Sequence, residues 1–187
     1  MNMRLKKVLI TGLAVFSVGW LAGKAQAAST DTITISVTPN ATFGVTISSP
    51  YASGYNFGLV NLNSTTLSTL AITLTNSGSI YEYFALSVSN TSGGWTAVST
   101  LPSTDTFRLS GQLNATQPVQ GSGNFSALAN TAPSVAATLY GQASTKTSPT
   151  TGNNTQKLWL QMEMPFTLNT GGTGAQTMTV SVTGQAS

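Results

Sequence analysis

The sequence contains no cysteine and no histidine, and only 6% of its 187 residues are charged. Each shortage excludes something. Without thiols there is no disulfide framework, so stability must come from a packed core. Without thiolate or imidazole, the ligands that zinc prefers are missing. A serine nucleophile has no histidine to take its proton, and beyond the N-terminal region only Lys146 and Lys157 could replace one. Lys146 lies in a wholly polar, low-complexity stretch, Ser144 to Gln156, that builds no apolar pocket around it.

Acids are as scarce: Asp31, Glu82, Asp105 and Glu163. Glycoside hydrolysis needs two carboxylates at a defined separation, and Glu82 and Glu163 are the pair to weigh. Glu163 alternates with Met162 and Met164 and so faces outward. Glu82 follows the inward phase of its strand close to the strand start, where hydration at the sheet rim or pairing with Arg108 or Lys157 is expected. No D-x-[DN]-x-[DN]-G calcium loop is present. The expectation is a protein that is not an enzyme and uses no cofactor and no metal.

The long hydrophobic run that does occur is N-terminal. Basic Arg4, Lys6 and Lys7 precede an apolar stretch from Val8 to Ala22, followed by Ala25-Gln26-Ala27. This is the three-zone pattern of a secretory signal peptide, residues 1–27, with an A-x-A cleavage site. The stretch falls short of the ~20 apolar residues of a membrane span and is broken by Gly12 and Gly19. Cleavage would leave Arg108, Lys146 and Lys157 against the four acids, a net charge of −1. Three scattered cations cannot neutralise a phosphate backbone or an anionic bilayer. Neither nucleic acid nor membrane insertion of the mature chain is expected. The chain would be secreted, to the cell surface, the exterior or a periplasm.

What is abundant is alternation. Ile33, Ile35 and Val37 recur at every second position, as do Phe43, Val45 and Ile47; Leu70, Ile72 and Leu74; Ile80, Phe84, Leu86 and Val88; Phe107, Leu109 and Leu113; Leu158, Leu160, Met162 and Met164; and Met178, Val180 and Val182. A period of two is that of strands with one buried face. About eight strands joined by Ser-, Thr- and Gly-rich connections predict an all-β, antiparallel β-sandwich over residues 28–187, in one domain.

Two stretches carry a family likeness: Asn56-Phe57-Gly58-Leu59-Val60-Asn61-Leu62-Asn63-Ser64 and Leu70-Ala71-Ile72-Thr73-Leu74-Thr75-Asn76-Ser77-Gly78-Ser79. They resemble the "F-G-x-V…G-S…hydrophobic-T-N-x-G" pattern of immunoglobulin-like sandwich domains of the abnormal-spindle and hydin type, with Asn63 where the pattern has Gly. The resemblance covers about 25 residues. It implies a non-catalytic, structural or adhesive module of exported surface proteins and brings no active-site residues with it.

Aromatics are the remaining chemical resource. Phe43, Phe57, Phe84 and Phe107 fit a core, and Trp95 fits a plug at one end of the sandwich. Tyr81, Tyr83 and Trp159 take the outward phase, as cross-strand packing, as a stacking platform for sugar rings, or as anchors of a subunit interface.

Two functional expectations follow. In the first, low charge and high β content favour edge-to-edge association into a fibre, coat or matrix, with copies of itself or other surface proteins as partners. The segment carrying Ile33, Ile35 and Val37 would then add as a strand to a neighbour. In the second, Tyr81, Tyr83 and Trp159 with neutral polar loops grip a polysaccharide, making the chain a carbohydrate-binding or adhesin module.

Overall fold

A strand with apolar residues on one face needs a second layer to cover that face. In the computed structural model, which describes residues 33–48, 50–128, 140, 146–169 and 173–186, that layer is a second sheet. The expected signal peptide lies outside the described residues. The chain divides into residues 1–39 and 40–187. Within the first part, residues 33–39 form no regular secondary structure.

The second part is all-β. Its strands are β1 (Val45–Ile47), β2 (Thr65–Leu67), β3 (Ile72–Asn76), β4 (Tyr83–Val88), β5 (Thr96–Ala97), β6 (Thr106–Leu113), β7 (Ser126–Ala127), β8 (Thr155–Glu163) and β9 (Val180–Gln185). A seven-stranded sheet runs in the order β1-β3-β8-β6-β5, with β2 also on β8 and β7 also on β6. The other sheet, among the described residues, has the two strands β4 and β9. The arrangement is consistent with a β-sandwich. No helix among the described residues is long and apolar enough to cross a membrane.

The alternation predicts which side chains meet. Leu74 of β3, Phe84 and Leu86 of β4, Phe107 and Leu109 of β6, and Leu158 of β8 are all at most 1% exposed and share one core. Each such side chain contributes roughly 1.5–3 kcal/mol relative to solvent exposure. Gly111 takes an inward position on β6. A Cβ there would lie 3.1–3.3 Å from the Leu86, Leu128 and Leu158 methyls, so the missing side chain is what lets those leucines converge.

Several expectations are corrected. Residues 33–38 are not a strand. Phe43 is 46% exposed because it precedes the ladder, whose first pair is Val45 with Asn76. Leu70 is exposed in the bend before β3. The sheet is not purely antiparallel: β5 runs parallel to β6, with Thr96 opposite Thr106.

The outward row of the larger sheet is also buried, which alternation alone does not show. Ser110 and Gln112 of β6 and Trp159, Gln161 and Glu163 of β8 are all under 9% exposed. The connection after β6 lies over them. Gly121 N–H donates to Gln161 Oε1 at 2.7 Å, Ser122 Oγ to Gln112 Oε1 at 3.1 Å, and Trp159 Nε1 to the Asn114 carbonyl at 3.0 Å. Amide side chains are suited to this place because they satisfy the loop backbone that covers them.

Candidate functional site

Among the described residues, the smaller sheet sets two strands against the seven of the larger one. β9 pairs with β4 over its whole length, from Tyr83 opposite Gln185 to Val88 opposite Val180. Among the described residues it pairs with no other strand. Beside it lies a groove of about 900 Å³, lined by β9 and by no residue of β4, and therefore on the unpaired side of β9. Its floor is the inner face of the larger sheet, with Ile72, Leu74, Leu160 and Met162, and its wall is Val180 and Val182. Val180, Val182, Met164 and Met178 are only half-buried, so the groove is reached from solvent. No charged side chain among the described residues lines it.

Opposite β9 the groove is bounded by the segment after β1. Tyr51 and Tyr55 have ring centroids 5.3 Å apart, and Tyr55 and Phe57 meet edge-on at 4.9 Å. Tyr55 Oη accepts the Thr69 N–H at 2.8 Å, tying this aromatic row to the turn before β3. Phe57 thus packs against the core as its pattern implies. Asn63 holds φ 52°. Asn tolerates that left-handed conformation better than most residues.

The expected strand-addition residues are all solvent-facing: Ile33 is 85%, Ile35 77% and Val37 82% exposed. Large aliphatic side chains exposed at alternate positions are unusual on a surface.

The structure does not bring the three expected outward aromatics together on the surface. Tyr81 is 57% exposed, but Tyr83 is 4% and Trp159 7% exposed. Tyr83 lies under Lys146, whose Nζ is 5.6 Å from the ring centroid. Trp159 has the outward phase but is roofed by the loop at Asn114. A flat stacking platform built from these three is therefore not formed. Trp95 is buried, as expected of a plug, and also borders the groove.

The two glutamates separate sharply. Glu163 lies opposite Arg108 and accepts two hydrogen bonds from it, from Nε at 2.8 Å and Nη2 at 2.6 Å. Glu82 is fully buried rather than hydrated at the rim. It bridges to Thr147 through both backbone groups. Its Oε2 accepts the Gly44 N–H at 3.1 Å, and its Oε1 has no hydrogen-bond partner among the described residues. Desolvation pushes its carboxyl above the ordinary value of 4.5, partly offset by the Gly44 hydrogen bond. Among the described residues no three His, Cys, Asp or Glu come together.

Sequence reasoning missed the groove, because its floor is the same hydrophobic row that any sandwich strand presents. What reveals it is the way distant segments come together around that row, from the stretch after β1 to β9. No protein-family model matches the chain and no curated protein matches it, so the reading of this site rests on its geometry.

Proposed function

We propose that this is an exported, non-catalytic protein of immunoglobulin-like β-sandwich type that associates with copies of itself through β-strand edges to build a surface fibre, coat or matrix. The observation that carries this reading is the exposed row Ile33, Ile35 and Val37, an uncharged aliphatic strand pattern. Its cost in a lone molecule is offset when a neighbouring sheet edge takes it up, since main-chain hydrogen bonds then give affinity and the alternating side chains give register. The scarcity of charge supports the same reading, because repulsion between copies is weak.

Negative-stain microscopy and sedimentation of the purified chain from residue 28 test it. Assemblies are expected, and replacing Ile33, Ile35 and Val37 with Asp should leave discrete monomers. Monomers from the parent chain across micromolar concentrations would rule the reading out.

A further inference from the structure

We infer that the groove beside β9 is the acceptor for residues 33–38 of a second copy, which lie in it antiparallel to β9. This rests on the strand-edge reading above and names its partner surface.

The chemistry of the two surfaces matches. The groove offers Ile72, Leu74, Leu160 and Met162 below and Val180 and Val182 at the side, with no charged lining residue described. The segment Ile33-Thr34-Ile35-Ser36-Val37-Thr38 has no charge, and its three aliphatic side chains fall on one face when extended. The lengths match as well. Six extended residues span about 20 Å, and the groove is lined by Thr177, Met178, Thr179 and Val180 and then by Val182, a stretch of six positions. Pro39 ends the segment's capacity to donate to a ladder, so residues 33–38 form one complete pairing unit.

The direction of the chain selects a second copy over self-insertion. Gly44 donates to Glu82 at one end of the sandwich, and β1 runs away from that end. β9 finishes at the same end, with Gly184 against the Glu82 carboxylate. A segment folded back from Asn40 into its own groove would therefore run parallel to β9, the less stable pairing. A segment from another molecule has no such constraint. With Ile35 opposite Val182, antiparallel pairing sets Val37 opposite Val180, both lining residues of the groove.

The absence of native cysteine makes the test clean. One copy carries Val37→Cys and a differently tagged copy carries Val180→Cys. After mixing and treatment with a short thiol crosslinker, a heterodimer is expected at least tenfold above that from Ile33→Cys with Val180→Cys. Adding Ile35→Asp to the donor copy, outside the folded unit, should cut that yield at least tenfold with Tm unchanged. A dominant Ile33→Cys pairing, a crosslink confined to one molecule in the double variant V37C/V180C, or an apolar small molecule occupying the groove in native mass spectrometry would overturn the inference. Fibres without either crosslink would overturn the groove alone and leave strand-edge assembly standing. Monomers without crosslink would overturn both.

Discussion

The Glu82 carboxylate occupies the space that a side chain at residue 184 would need: a Cβ on Gly184 would collide with Glu82 Oε2 and its carboxyl carbon. Glycine on β9 is thus required by the glutamate that immediately precedes the neighbouring strand. Since Glu82 is fully buried, its carboxylate has no open direction in which to retreat.

Gly184→Ala should therefore destabilise the protein by about 1–3 kcal/mol, the usual cost of overpacking. The measurement is urea unfolding. Combining it with Glu82→Ala should recover a substantial part of the loss, because the colliding group is then gone, and simple additivity of the two costs would refute the contact.

Glu82→Gln should raise Tm at neutral pH by about 2–4 °C, the shift that ~1 kcal/mol produces in a chain of this size. The variant removes the ionised form of a fully buried carboxyl, and its amide oxygen can still accept the Gly44 N–H. The sign in pH follows from the raised carboxyl. The folded protein holds the Glu82 proton to higher pH than the unfolded chain, so this group favours folding fully below 4.5, and its contribution falls as pH rises through the raised folded value. Thermal scans at pH 7 and pH 5 check it. The advantage of Glu82→Gln over the parent should shrink on acidification, and a constant difference would refute the assignment.

Asn76 ties three backbone groups together. Its Nδ2 donates to the carbonyls of Ile80 and Thr147, each at 2.9 Å, and its Oδ1 accepts the Gly78 N–H at 2.9 Å. Asn76→Ala should cost about 2–4 kcal/mol, because buried groups are left unpaired. Chemical denaturation measures it, and a loss below ~0.5 kcal/mol would show that these bonds contribute nothing net.

Arg108 and Glu163 form a bidentate pair with side chains 26% and 11% exposed. Partial solvent screening lowers its worth below that of a buried pair. Arg108→Ala should cost about 1–2 kcal/mol, mostly from the uncompensated carboxylate, with a smaller loss in high salt. The exchange R108E/E163R should recover part of it. Equal losses for the single and exchanged variants would argue against pairing as the cause.

Trp159→Ala should lower stability by about 3 kcal/mol, in keeping with a buried aromatic. The cost arises from uncovering the outer face of β8, where the ring sits under the loop at Asn114. Unfolding monitored by circular dichroism measures it, and an unchanged midpoint would mean that the loop does not seal this face.

The legible part of the fold was the part governed by period. Ile72, Leu74, Phe84, Leu86, Leu109, Leu158 and Leu160 lie inward as their alternation requires. The Asn76-Ser77-Gly78 turn is where the pattern places it, for a local reason: Asn76 captures the Gly78 N–H, and a Cβ on Gly78 would strike the Thr42 carbonyl. Tyr83 and Trp159 were misjudged because outward phase does not mean exposure. One lies beneath Lys146, and the other beneath a loop that periodicity leaves unplaced. Ile33, Ile35 and Val37 carry a strand's pattern without being a strand, since a ladder needs a partner edge and pattern cannot supply one.

The sequence by itself determined that this chain would be built from strands, with a core of aliphatic and aromatic side chains and little charge, because those properties follow from side-chain chemistry at a spacing of two. Only the tertiary structure decided how many strands each sheet received, that the outer face of β6 and β8 is roofed, and that a fully buried glutamate faces a glycine. Those outcomes depend on which distant segments become neighbours. The groove beside β9 is of that kind: its apolar rows follow the period of two, but the gap between them exists only once the segment after β1, the inner face of the larger sheet and β9 have become neighbours.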